Sequence, residues 1–360
     1  MAEHTKIEWT DATWNPITGC KVVSPGCTNC YAMKLAGTRL AHHPSRAGLT
    51  IDTKAGPVWN GKLRFNSEWI EQPLRWKRPR RVFVCAHGDL FAEGVETRWL
   101  DQIFAIMALC PHHIFQVLTK RPERMRAYLE MNPDTLRDRW FRSVPSGEWR
   151  ISVSEAYARL HPHASEAMRN LYNCTGPIWP LPNVWLGVSI EDQARADERI
   201  PYLLSTPAAT HWISAEPLLG PVDIKDALAN PKWNGEPLWQ LSRIDWVVAG
   251  GESGIDARPM HPDWARSLRD QCTAADVPFF FKQWGEWAPQ VGAIDGWALG
   301  DDPEVSRFDH RDWEDGHWGD PYRPAWCDDI EDETVSRIGK RNAGRLLDGI
   351  EHNAMPGGEQ

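Results

Sequence analysis

The sequence predicts an α/β protein whose parallel strands form a barrel or partial barrel. Three observations carry this: seven short runs rich in Val, Ile and Phe recur along the 360 residues, helical patterns lie between them, and polar clusters follow the strand ends. A parallel strand covered on both faces reads as a continuous apolar run, and its alternation with helical segments marks βα units.

The first strand is short and precedes Cys20. The others are expected at Val82–Cys85, Ile114–Leu118, Val184–Val188, His211–Ser214, Trp246–Ala249 and Pro278–Phe281. Helical spacing over Trp99–Leu109, Glu123–Glu130 and Pro262–Ala274 supplies segments between them. Two stretches break the rhythm: Asn132–Pro182, with a helical pattern near Ser152–Leu160, and the acidic, Trp-rich Gly285–Glu333. Segments of this length at a barrel rim are expected to cover a site. The predicted division is a barrel core over 1–284 with an insertion at 132–182, an acidic cap over 285–336, and a basic helical tail over 337–360. Within that tail, Arg337–Gly349 is expected to be helical up to its final glycine.

The formal charge of -9 does not exclude a nucleic acid. Asp295–Glu333 holds 14 acidic and 3 basic residues, so it carries 3 - 14 = -11 and leaves the remainder at +2. That remainder includes Arg75-Trp76-Lys77-Arg78-Pro79-Arg80-Arg81, which can meet phosphates or simply form a solvated edge before a buried strand. The 21 tryptophans are expected mainly to fill the core, with a few free to stack on bases. No apolar run approaches the roughly twenty residues of a membrane helix, and no leader pattern opens the chain. With scattered cysteines, this points to a reducing cytoplasm and no membrane role.

Cys20, Cys27 and Cys30 lie in Asn15-Pro16-Ile17-Thr18-Gly19-Cys20 and Pro25-Gly26-Cys27-Thr28-Asn29-Cys30-Tyr31-Ala32. Three thiolates can hold three irons of a [4Fe-4S] cluster and leave the fourth open. Structural zinc requires a fourth ligand, which His4, His42 or His43 could supply. A disulfide is the third reading.

Residues after the strands of a parallel barrel converge on one rim. Here they include His87-Gly88-Asp89-Leu90-Phe91, Thr119-Lys120-Arg121-Pro122, Ser189-Ile190-Glu191, Glu216-Pro217, Gly250-Gly251-Glu252-Ser253-Gly254 and Lys282-Gln283-Trp284-Gly285. Carboxylates, hydroxyls and lysines together suit a zwitterionic ligand bearing a ribose. The glycine-rich run lacks both dinucleotide and Walker spacing, so it reads as a tight, ligand-facing turn. Asp89 and Glu216 also admit a structural role as buried carboxylates paired with arginine, and Lys120-Arg121 admits a solvated turn. Neither a Gly-x-Ser-x-Gly elbow nor a His-Glu-x-x-His helix occurs. The adjacent His42-His43 and His112-His113 pairs do not read as metal sites, while Cys85 and Cys110 read as core residues.

The Cys20, Cys27, Cys30 loop resembles the cluster loop of spore photoproduct lyase-like radical SAM enzymes. Asp89-Leu90-Phe91, Leu118-Thr119-Lys120-Arg121-Pro122, Gly187-Val188-Ser189, Glu216-Pro217-Leu218-Leu219-Gly220, the glycine-rich run and Phe281-Lys282-Gln283-Trp284-Gly285 are similar to phage-encoded three-Cys-motif proteins of that type. The resemblance implies a partial (β/α) TIM-type barrel with two insertions, a [4Fe-4S] cluster and S-adenosyl-L-methionine. It implies Cys20, Cys27 and Cys30 as iron ligands and Asp89 near the methionine amine. Lys120 and Ser189 would meet carboxylate or ribose, Glu216 and Glu252 ribose, adenine or substrate, and Lys282 and Trp284 the substrate. Two departures are a Cys-x6-Cys first spacing in place of Cys-x3-Cys, and Asn29 in place of an aromatic residue.

The implied activity is a 5'-deoxyadenosyl-radical isomerisation of a modified nucleobase, a thymidine amino-acid adduct in hypermodified phage DNA. Repair of a DNA photoproduct is one alternative, and a zinc-stabilised nucleic-acid-binding phage protein is another. The implied partners are DNA or a modified nucleotide, an external electron donor and a phage-encoded protein, in the cytoplasm of a bacterial host.

Overall fold

The computed structural model describes residues 5, 7–143, 179–229, 232–233, 236–237, 243–289, 309–314, 317–318 and 334–357. Seven strands occur where the apolar runs place them: β1 (Ala12–Trp14), β2 (Arg81–Val84), β3 (Ile114–Thr119), β4 (Val184–Ile190), β5 (Thr210–Ala215), β6 (Trp246–Gly250) and β7 (Phe279–Gln283). They form one sheet in chain order. The registers of β1 with β2, β2 with β3, β3 with β4, β5 with β6, and β6 with β7 are all parallel. Strand number, order and direction are those of a partial β/α barrel. All seven residues of β4 and all five of β6 are buried, which explains why both read as unbroken apolar runs.

The chain divides into two compact units. The first comprises 1–23, 30–188 and 202–211. Its helix α1 (Tyr31–Gly37) buries Ala32, Met33 and Ala36 against Leu49 and Trp59, the latter on the hairpin Thr50–Thr53/Gly56–Trp59. Helix α2 (Thr97–Leu109) buries Leu100, Ile103, Phe104 and Met107, the spacing of one helical face. Helix α3 (Pro122–Leu129) opens with proline at its first turn, where the missing N–H is no loss.

A fourth helix, α4 (Pro133–Ser143), falls inside the stretch expected to be an insertion, yet its first part belongs to the core. Leu136 and Trp140 are buried, and Trp140 stacks on Phe104 of α2 at 5.6 Å. The Trp140 indole N–H donates to Tyr128 Oη at 2.8 Å, and that hydroxyl donates to Asp101 at 2.9 Å. The helical pattern near Ser152–Leu160 lies outside the described residues.

The second unit comprises 24–29, 189–201 and 212–360. Helix α5 (Gln193–Leu204) follows β4. Helix α6 (Pro262–Ala274) starts at His261, whose ring accepts the Asp263 N–H at 3.2 Å, and buries Trp264, Ala265, Leu268 and Cys272. The tail differs from the expected helix. Only α7 (Lys340–Ala343) is helical, bounded by Gly339 and Gly344 at φ of 85° and 63°. Leu346–Leu347 then pairs antiparallel with Ile350–Glu351 across Asp348-Gly349, and Phe281 donates its N–H to the His352 carbonyl. Glycines at positive φ end the helix, and an Asp-Gly turn favours a hairpin over another helical turn.

Candidate functional site

In the first unit, β2 ends at Val84 and Cys85 takes a left-handed φ of 59°, turning the chain toward His87 and Asp89. The Cys85 thiol is buried and pushed up to about 12 by desolvation, so it stays protonated and inert. Asp89 is 5 % exposed. One carboxylate oxygen accepts from the Phe91 N–H at 2.9 Å and the Thr119 hydroxyl at 2.7 Å. The other accepts from the Lys120 N–H and Arg121 Nη1, both at 3.0 Å. Each oxygen thus accepts twice, its full capacity. The expected role at the methionine amine would require one of these donors to be displaced.

Arg121, read as a solvated turn residue, is instead buried. It donates to Asp89, to Cys20 Sγ at 3.4 Å and to the Lys21 carbonyl at 2.8 Å. Burial opposes its charge, but Asp89 and then Cys20 and Glu93 outweigh that and raise its pKa. A guanidinium held against a thiol favours the thiolate, the form that binds metal. Cys20 and Cys30 both pack, partly exposed, against the core of α1.

Cys27 belongs to the second unit, on the short segment Ser24–Asn29. Two carboxylates hold that segment. Glu191, fully buried, accepts from the Gly26 N–H at 3.3 Å and from Arg199 at 3.1 Å. Glu252 accepts from Asn29 Nδ2 at 3.0 Å and from Arg258 at 2.9 and 2.7 Å, while Arg258 also donates to the Pro25 carbonyl at 3.0 Å. Desolvation would raise the Glu252 pKa, but the bonds from Arg258 and Asn29 win and hold it below the usual carboxylate range. Asn29 therefore ties the cysteine loop to Glu252, where an aromatic residue would have no amide to donate.

Ser189, Glu216 and Lys282 share a third group, also in the second unit. Lys282 Nζ lies 2.8 Å from Glu216, whose other oxygen accepts from Ser214 at 3.2 Å, and Ser189 donates to the Glu216 carbonyl at 3.2 Å. Gly250 makes room for this carboxylate: a Cβ there would stand 2.9 Å from Glu216 Oε1. At Gly251 a Cβ would overlap the Trp284 carbonyl oxygen, so this glycine serves close backbone approach. Trp284, expected at the substrate, lies in the core instead. It is 2 % exposed, its N–H donates to the Leu346 carbonyl at 2.8 Å, and its ring meets Phe281 at 4.9 Å. Burial of so large an indole wins over exposure when its one polar atom finds a carbonyl.

Arg121, Asn29, Glu191, Arg199 and Arg258 acquire roles that their sequence positions did not disclose. The available signal was weak: an arginine six residues after Glu252, another eight after Glu191, and Arg121 two residues after the end of β3. The donor set around the cysteines fits an iron–sulfur cluster in kind. None of the described cysteines forms a disulfide, and a buried cation meets Cys20. Among the described residues, no three His, Cys, Asp or Glu side chains are grouped as a ready metal-holding set.

Fold and side chains together define a parallel α/β protein with charged clusters after its strands. The chain belongs to the DUF5131 family, whose model, described as a protein of unknown function, matches residues 4–356. Neither curated proteins nor solved structures provide a match.

Proposed function

We propose that this protein is a radical SAM enzyme in which Cys20, Cys27 and Cys30 hold a [4Fe-4S] cluster. The observation that carries the reading is the Arg121 guanidinium donating to Cys20 Sγ, in a sequence whose three thiols fall between positions 20 and 30. Bound there, the cluster would supply the one electron that breaks the S–C5' bond of S-adenosyl-L-methionine, giving methionine and a 5'-deoxyadenosyl radical. The protein's own residues do the rest. Arg121 balances the charge of Cys20, and Glu191 and Glu252 hold the Cys27 segment. Lys282 and Glu216, paired to each other, offer a polar, charge-balanced group to a zwitterionic ligand. The substrate in this reading is a modified thymidine of phage DNA, rearranged by hydrogen abstraction.

The test is anaerobic reconstitution with iron and sulfide, followed by a dithionite assay for 5'-deoxyadenosine in wild type and Cys27→Ala. Cys27-dependent production is the expected result. One bound zinc without sulfide, and no 5'-deoxyadenosine, would overturn it in favour of a zinc-stabilised nucleic-acid-binding protein. Incubation with hypermodified phage DNA, read by nucleoside mass, tests the substrate: an unchanged mass profile and retention time would remove it.

A further inference from the structure

Within the first unit a cleft of about 690 Å³ opens beside Cys20, between the Thr50–Trp59 hairpin and the loop at Glu93. Its volume lies in the range of roughly 300–1,000 Å³ typical of small-molecule sites. Trp59 and Ile51 supply apolar surface, Asn60 an amide, and Lys21 and Lys62 two cations. Glu93 also lines it, but that carboxylate faces Arg121 Nε at 3.5 Å and is thereby balanced. Among the described residues, no carboxylate pairs with Lys21 or Lys62, and both are exposed.

The surrounding segment is strongly basic. Gly19–Asn66 holds Lys21, Lys34, Arg39, Arg46, Lys54, Lys62 and Arg64 against Asp52 alone, 7 - 1 = +6 in a chain of net -9; Arg46 is buried, while Lys21, Arg39, Lys54 and Lys62 are exposed. The same segment carries Val22, Val23, Tyr31 and Ile51, four of the six large apolar side chains exposed among the described residues. Cations interleaved with exposed apolar and aromatic surface suit a strand that presents both phosphates and bases. A concave cleft distinguishes this from a lipid surface, which would need an outward-facing apolar ridge.

We propose that this cleft and its hairpin bind a polynucleotide. One nucleotide sits in the cleft against Ile51 and Trp59, and flanking phosphates meet Lys21 and Lys62. The inference rests on the nucleic-acid reading above for its substrate class, but its binding step needs neither the cluster nor S-adenosyl-L-methionine. Arg39 and Lys54 are exposed cations of the same segment outside the cleft lining, and they favour a polymer, with phosphates on both sides of the bound nucleotide, over a free nucleotide.

The test is fluorescence anisotropy with short labelled single-stranded DNA and RNA on the full-length protein, as isolated and after reconstitution, across a salt series. Lys21→Glu with Lys62→Glu should weaken binding by more than about tenfold and lower the slope of log affinity against log salt by about two. Lys225→Glu, at an exposed cation of the second unit, should leave binding near wild type. The DNA and RNA arms identify which polymer is preferred, and either preference supports the proposal. Unchanged binding in the double variant, equal binding to polyglutamate or to phosphatidylserine vesicles, or an equal loss in Lys225→Glu would overturn it. An unchanged melting temperature shows that the variant is folded. Because 5'-deoxyadenosine formation is assayed without nucleic acid, failure of the radical reading and failure of this site are distinguishable.

Discussion

Asp89 with Arg121 and Glu252 with Arg258 are the same device built twice, once in each unit, with different burial. In each, a carboxylate beyond a strand end holds an arginine that reaches a cysteine-bearing segment: Arg121 meets Cys20 Sγ, and Arg258 meets the Pro25 carbonyl, two residues before Cys27. The first pair has side chains 6 % and 7 % exposed, whereas Arg258 is 34 % exposed. A buried pair must be complete, because removing one partner strands a charge in a poor solvent, while a half-exposed arginine can turn to water. The difference teaches that only the first pair acts as an electrostatic element toward its cysteine. The second acts as a knot that shapes a loop.

Arg121→Met tests the difference most strongly. It leaves Asp89 buried without its cation and should cost about 3–5 kcal/mol in chemical denaturation. Adding Asp89→Asn should recover part of that loss. A loss under about 1 kcal/mol for Arg121→Met would show that the pair is not the buried element described.

Glu252→Gln should cost less, about 1–3 kcal/mol, because Arg258 regains water as it loses its carboxylate. It should also speed alkylation of Cys27 under native conditions, since the Ser24–Asn29 segment loses the Asn29 and Arg258 anchors. Unaltered Cys27 reactivity would separate Glu252 from that loop.

His87 adds a pH dependence to the first unit. Desolvation, followed by the charge of Arg46, lowers its pKa to about 4 from an ordinary 6.5. The folded protein therefore holds His87 neutral where the unfolded chain would protonate it. Its contribution is full above 6.5 and declines as pH falls toward 4. His87→Gln should flatten that part of the stability profile in urea titrations; a profile parallel to wild type would refute the assignment.

The smallest effect belongs to a surface pair. Asp348 meets Arg266 at 2.8 Å and Arg269 at 2.5 Å but is 36 % exposed. Asp348→Asn keeps a residue type that tolerates its φ of 53° and should cost about 0–1 kcal/mol, less still at high salt. A larger, salt-insensitive loss would mean that exposure does not rank these carboxylates.

Much of the barrel sheet was legible because its signal is local. A strand buried on both faces must be apolar throughout, so Val184–Val188 and Trp246–Ala249 announce themselves, and the structure only lengthens them. The tail was misread for a local reason too: basic residues suggested a helix, although Gly339, Gly344 and the Asp348-Gly349 turn all oppose one. The site was less legible. Ser189, Glu216 and Lys282, named separately from three strand ends, share one hydrogen-bonded group. Arg121 looked solvated because four nearby polar residues surround it in sequence, and its burial depends on Asp89 and Cys20, distant along the chain. Trp284 looked available to a ligand because nothing near it in sequence reveals the carbonyl of Leu346.

The sequence by itself determined the α/β class, the positions of the seven strands, and the presence of charged residues just after the strand ends. These follow from periodicity and from the need of buried backbone to carry apolar side chains, both properties of short windows. Only the tertiary structure decided which carboxylate each arginine meets, that Asn29 anchors a cysteine loop, and that Trp284 is core. Those outcomes depend on contacts between residues far apart in sequence, where burial and charge pairing are settled by packing rather than by neighbours along the chain.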